Sequence, residues 1–172
     1  MQTEALDRDR RRGLWRRLKL VTPGGRVFLD RSGVDLRLFG VYVHRIELPD
    51  PGLDLHDHPW PFVSIILRGG YTEEAAAARD AQAFAAWAET VELSGAAERG
   101  SIPRGYRRTW RRGSVHRIRT TDAHRITTTE PGTLTLVLRG RKWRSWGFYC
   151  PDGFVDHRRY DYETRRPLEA VR

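Results

Sequence analysis

Residues 55–70, LHDHPWPFVSIILRGG, decide more of the fold than any other stretch of this chain. His56 and His58 flank a single residue, and on an extended strand side chains two apart project from the same face. The run FVSIIL (62–67) has strand character, is far too short to span a bilayer, and closes at Gly69-Gly70. Two imidazoles presented side by side can bind one metal if a third ligand comes from a facing strand. Imidazole suits zinc, iron, copper and nickel, so the ligands alone do not select the metal.

The pattern around this stretch is mostly β. Upstream, RVFLD (26–30) leads to an expected turn at Arg31-Ser32-Gly33, then to VDLRLFG and VYVHRIEL (41–48), which ends in the strong turn signal Pro49-Asp50-Pro51-Gly52. Downstream come RRTWRRG, SVHRIR, HRITTT, TLTLVLRG and RSWGFYC, with Glu130-Pro131-Gly132 as a hairpin turn. Many short strands with frequent turns predict a mainly β barrel or jelly roll rather than a parallel α/β sheet.

Two segments read differently. Residues 4–19 predict a basic helix with Leu6, Leu14, Trp15 and Leu18 as a narrow apolar stripe. EEAAAARDAQAFAAWAETVEL (73–93) is rich in alanine and places Ala77, Phe84, Trp87 and Val91 near one face, which predicts a helix inserted between strands. The expected organisation is a basic helical segment over 1–25, a barrel over 26–160 carrying the helical insertion, and a polar tail over 161–172.

At 172 residues the chain supports one domain with a real core. Its single cysteine, Cys150, excludes an internal disulfide and a cysteine-based zinc cluster. The N-terminal sequence lacks the apolar core of a signal peptide, so a cytoplasmic location and no membrane partner are expected. The net charge is +9, carried almost wholly by arginine. Arginines cluster at 8–17, with Lys19, at 104–112 and at 139–144. Such clusters suit nucleic acid, a nucleotide or an acidic protein partner. An ordinary solvated basic surface is the plainer reading.

The histidine-bearing segments resemble the cupin superfamily. In its first motif a His-x-His pair is followed by Glu and then Gly; here Val63 stands at the Glu place, Gly70 at the Gly place, and Gly52 precedes His56. In the second motif, Arg119, Thr121 and His124 stand at the Pro, Gly and His places. The strings HDHPW, SIILRGGYTE, HRI, TLVLRG and RSWGFYCPDGF are similar to a group of small bacterial and phage cupins. The resemblance covers roughly 34–150 and implies a double-stranded β-helix in which His56, His58 and His124 converge on a divalent metal. Without the glutamate, three neutral ligands remain. That set also occurs in cupin thiol dioxygenases, which favours iron(II) and oxygen activation, with zinc, nickel or copper as alternatives. Glu73 is the nearest downstream acid, but it lies beyond the glycine turn and is a weak substitute ligand. By the same analogy, a homodimer would form through residues 1–30.

His116, on the strand before His124, is the candidate catalytic residue, as a fourth ligand, a substrate contact or a base behind the ligands, with a hydrogen-bonded barrel histidine as the plainer reading. That plainer reading is also the expectation for His44. Trp60, Tyr71, Arg45 and Arg68 are the candidate contacts to a small polar or anionic substrate. Trp143, Trp146, Phe148 and Tyr149 read as core and closing-strand residues. The leading functional expectation is a metal-dependent oxygenase. The alternative is a cupin-fold binding module for nucleic acid or an acidic ligand, with a structural metal or none.

Overall fold

The computed structural model describes residues 14–22, 24–94 and 105–162. In chain order the elements are β1 (Trp15–Val21), β2 (Val27–Asp35), β3 (Gly40–Ile46), β4 (Leu55–His56), β5 (Phe62–Arg68) and β6 (Gly70–Ala77), then helix α1 (Ala81–Ser94). They continue as β7 (Gly105–Arg111), β8 (Val115–Ile118), β9 (Asp122–Thr129), β10 (Thr133–Arg139), β11 (Gly147–Cys150) and β12 (Gly153–Asp156). Two six-stranded sheets form, in the orders β1-β2-β3-β10-β5-β8 and β12-β11-β4-β9-β6-β7. Every pairing is antiparallel. From β3 to β6 and from β7 to β11 successive strands change sheet, which is how a jelly roll winds its chain around one core.

Three expectations are corrected. The basic helix over 4–19 lies outside the described residues up to 13, and over Trp15–Val21 it is a strand paired along its length with β2. Its apolar residues are too few to fix a helical period, and the neighbouring strand supplies the backbone partners. The expected turn at Arg31-Ser32-Gly33 is absent, because β2 runs straight through it. Gly33 instead permits close approach: a Cβ there would strike the carbonyl oxygen of Val41 and the Cα of Tyr42. The inserted helix begins at Ala81 rather than 73, and residues 70–77 form a central strand between β7 and β9. Pairing on both edges overrides the helix preference of alanine, which is a weak prior.

That last correction positions the site. On β6, Tyr71, Glu73 and Ala75 point between the sheets, while Glu74 and Ala76 point to the outer face. The outer face is covered by α1, through a cluster of Leu55, Ala76, Ala81, Phe84, Ala88 and Ala123 with Trp87 and Tyr149 beside it. Packing through Phe84 and Trp87 is as the sequence predicts; the side chain of Val91 is outside the described residues. Between the sheets, Ile46 and Ile66 meet Tyr71, with Leu29, Trp110 and Ile126 around them. Phe148, Cys150, Val155 and Tyr160 make a further cluster, joined by Trp146 and Tyr162.

Candidate metal centre

His56 ends β4, and its direct partner across the sheet on β9 is His124. His58 follows just beyond β4 and returns to the same side. Ring centroids are 5.0 Å apart for His56–His58, 4.9 Å for His56–His124 and 5.0 Å for His58–His124. Their ligating nitrogens all lie within 4.8 Å of one another, and Nε2 of His58 and Nε2 of His124 are 2.8 Å apart. Two imidazole nitrogens at that distance share one proton, the particle a cation would displace.

The residue between the two histidines explains their presentation. Asp57 is fully buried and turned to the opposite side, where it accepts the Gly147 N–H at 2.9 Å and the Tyr149 hydroxyl at 3.1 Å. Arg144 pairs with it at 2.7 Å. Burial pushes its carboxyl up despite these partners. Asp57 thereby fastens the HDH segment to β11 and leaves both imidazoles facing inward.

Glu73 is the main residue that sequence reasoning undervalued. It is wholly buried, and its Oε2 accepts a hydrogen bond from Nδ1 of His124 at 3.0 Å. Its Oε1 accepts the indole N–H of Trp110 at 2.6 Å. Burial would lower His124, but the Glu73 hydrogen bond and charge outweigh it and raise the imidazole. Burial would raise Glu73, but the His124 hydrogen bond and charge bring it below its ordinary value. His56 and His58 are driven well below theirs by burial and then by the charge of His124. A carboxylate on Nδ1 fixes the tautomer that leaves Nε2 free to ligate, an arrangement common behind metal-bound histidines. The alternation of Tyr71, Glu73 and Ala75 after Gly69-Gly70 was the available signal, masked by the alanine run.

Aromatic rings wall the cluster. Phe62 stands edge-on to His58 at 4.9 Å, Trp146 lies parallel to His58 at 6.4 Å, and Phe148 is 5.7 Å from His56. Trp146 and Phe148 thus combine the expected core role with contact to the histidines. Val63, set at the family's Glu place, lies on the other face of β5. Phe62 faces the cluster instead, and neither residue can ligate.

The other expected site residues divide. Tyr71 and His116 are together: the phenol oxygen and Nε2 of His116 are hydrogen-bonded at 2.6 Å, and Trp110 stacks on the imidazole at 4.4 Å. Trp110 and Glu73 link them to the histidine cluster, and His116 is not among the three converging residues. Nδ1 of His116 has no hydrogen-bond partner among the described residues. Trp60 packs under Arg139, whose guanidinium carbon is 5.1 Å from its ring centroid. Arg45 and Arg68 do not face the histidine cluster. Strand parity turns Arg45 outward, where it pairs with Glu47 at 2.5 Å. Arg68 is exposed and bound to the Gly132 carbonyl at 2.9 Å, because a register shift in β5 turns it off the inner face.

Buried neutral histidines make stability pH-dependent. Burial and then the charge of Arg31 lower His44 to about 3, and burial lowers His116 to about 4, both from an unfolded value of 6.5. Between those values the unfolded chain binds more protons than the folded one. The contribution is therefore complete above pH 6.5 and is lost as pH falls toward 4 and then 3. His56 and His58 act in the same sense; His124, raised by Glu73, acts in the opposite one. The expected loss is on the order of a few kcal/mol. Urea midpoints measured from pH 7.5 downward check it, and His44→Phe should flatten the slope.

The fold and site together define a β-sandwich jelly roll with a three-histidine cluster between its sheets. No family model matches the chain, and no curated protein matches it. Among solved structures, it is similar to oxalate decarboxylase from Bacillus subtilis at 12% identity and a TM-score of 0.44, over 74% of this chain and 28% of that one. It is similar to the oxalate decarboxylase of Lactobacillus farciminis at 12% and 0.42, over 68% and 29%. KdgF from Halomonas sp. is similar at 12% and 0.42, over 72% of this chain and 85% of that one. The chain thus spans less than a third of the oxalate decarboxylases it resembles. Among the described residues, no helix is long and apolar enough to cross a membrane.

Proposed function

We propose that the protein is a cupin-type metalloenzyme in which His56, His58 and His124 hold one divalent ion, and that it is an oxygenase acting on a small polar or anionic molecule. The observation that carries this reading is the convergence of three ligating nitrogens within 4.8 Å, with Glu73 holding Nδ1 of the third. The donor set fits an ion well. Burial keeps His56 and His58 unprotonated, and Glu73 directs the Nε2 lone pair of His124 into the cluster.

With Phe62 where a carboxylate ligand would stand, three neutral ligands leave coordination positions for substrate and water. Iron(II), favoured here, supplies oxygen activation when bound; zinc, nickel and copper suit the same donors. The chain's own residues do the rest. Asp57 and Glu73 hold the imidazoles in orientation, while Phe62, Trp146 and Phe148 keep bulk water off the reacting groups.

Protein purified without a chelating tag should carry one iron per chain, lost in His56→Ala, and should consume oxygen when screened with small acids and thiols. Stoichiometric zinc without oxygen consumption would move the reading to hydrolysis or isomerisation. A folded protein that takes up no metal would overturn it.

A further inference from the structure

The two sheets differ on their outer faces. That of the second sheet is covered by α1, the one helix among the described residues. That of the first sheet is apolar and open. Alternation along its strands buries Tyr42, Ser64, Ile66, His116 and Val137 between the sheets and turns their neighbours outward. Register then aligns Val34 of β2, Val41 of β3, Leu138 of β10 and Val63 of β5 in one row. Val43, Leu136, Ile65 and Val115 form a second row, running from β3 to β8. Although β3 and β10 are the central strands, Val41, Val43 and Leu138 are 37%, 37% and 42% exposed.

Strand spacing and rise make this apolar area roughly 20 Å by 20 Å, or about 400 Å² on each molecule. A patch of that size, continuous across the middle of a sheet, is commonly a functional surface. Two such faces brought together with their rims would remove about 1,000 Å² from water, the size at which specific protein contacts begin. The charge at the rim is already answered within the chain: Arg17 pairs with Asp30 at 2.6 Å, and Arg45 with Glu47 at 2.5 Å. That weakens the pull of this face on an acidic protein or an anionic lipid surface.

We propose that the outer face of the first sheet is the contact between two copies of this chain, packed sheet on sheet about a two-fold axis. A broad sheet face is matched across its whole width by another sheet about 10 Å away, with the two sets of side chains interdigitating. A second copy presents the same rows of valine and leucine. Trp15, opposite Val34 on β1, belongs to this face, so the contact reaches residues 1–30 without being confined to them. The inference is independent of the metal centre.

Sedimentation equilibrium of the full chain, from about 1 to 100 µM, spans the affinity expected of a contact this small. The wild type should be a dimer at the upper end. Val43→Lys/Leu138→Lys, which buries ammonium groups in the contact, should be a monomer throughout. Val43→Thr/Leu138→Thr, which keeps strand preference, should weaken the dimer roughly tenfold, and it decides alone if the lysine variant fails to fold by circular dichroism. Phe154→Lys, at an exposed position of the second sheet, should leave the dimer unchanged. A monomeric wild type, or a dimer that persists in the folded lysine variant or is unweakened in the threonine variant, overturns the inference. Flotation with phosphatidylcholine and phosphatidylglycerol vesicles covers the other occupant: a monomer that binds them, and ceases to in Val43→Lys/Leu138→Lys, would assign the face to lipid instead.

Discussion

His124→Ala should abolish stoichiometric metal binding, whereas Glu73→Gln should retain one ion per chain at an affinity about 10–100-fold weaker. His124 contributes one of three ligating nitrogens, and two imidazoles from one short segment make a poor site alone. Glu73 touches no open position of the cluster; it acts through Nδ1 of His124 at 3.0 Å. Glutamine keeps the size and one acceptor oxygen, but it cannot accept from both His124 and the Trp110 indole. The weakened affinity should therefore come with a looser imidazole rather than an unfolded barrel. Competitive titration against a chelator measures the affinities, and melting temperatures with and without metal separate ligation from stability. A Glu73→Gln protein that binds metal as tightly as the wild type would leave Glu73 a purely structural residue.

Glu74→Ala should destabilise the fold by about 3–5 kcal/mol, although Glu74 never faces the site. Its carboxylate is fully buried on the outer face of the second sheet. Oε2 accepts from Nε and Nη2 of Arg125 at 3.0 and 2.7 Å, and Oε1 accepts from Nε of Arg107 at 3.2 Å. Arg125 is itself buried and also donates to the Gly52 carbonyl at 3.2 Å, so the pair ties β6 and β9 to the loop ahead of β4. Alanine at 74 would strand a buried guanidinium, and that uncompensated charge makes up much of the cost. The double variant Glu74→Ala/Arg125→Met should recover part of the loss, because it removes both charges together. Urea unfolding of the four proteins completes the cycle, and simple addition of the two single losses would show that the charges do not interact.

Part of this architecture is legible residue by residue. The HDH spacing places two imidazoles on one side of the chain because alternate residues of extended backbone share a face. The apolar run FVSIIL and the strand-like stretches from 105 onward identify β5 and β7 to β11. Adjacent residues of a strand face opposite ways, so Arg125 points away from His124 and pairs with Glu74 on the outer face. His124 itself came from the family resemblance, because no local pattern links residues 66 positions apart.

Other features depend on non-local pairing. Trp15–Val21 and residues 73–77 have local preferences that suit a helix, yet strands flanking them supply backbone partners along their length. Sheet preference is largely a matter of such neighbours. Once residues 70–77 become a strand, parity turns Glu73 inward onto His124 and Glu74 outward onto Arg125. Likewise, the continuous β2 sets Arg31 beside His44 rather than in a turn.

By itself, then, the sequence determined a mainly β chain with an inward-facing histidine pair, because the two-residue period of a strand is written in adjacent side chains. The tertiary structure alone decided which carboxylate supports the third histidine and which cations share the interior with it. Those depend on how distant strands align, and a shift of one residue would send every one of these side chains to the opposite face.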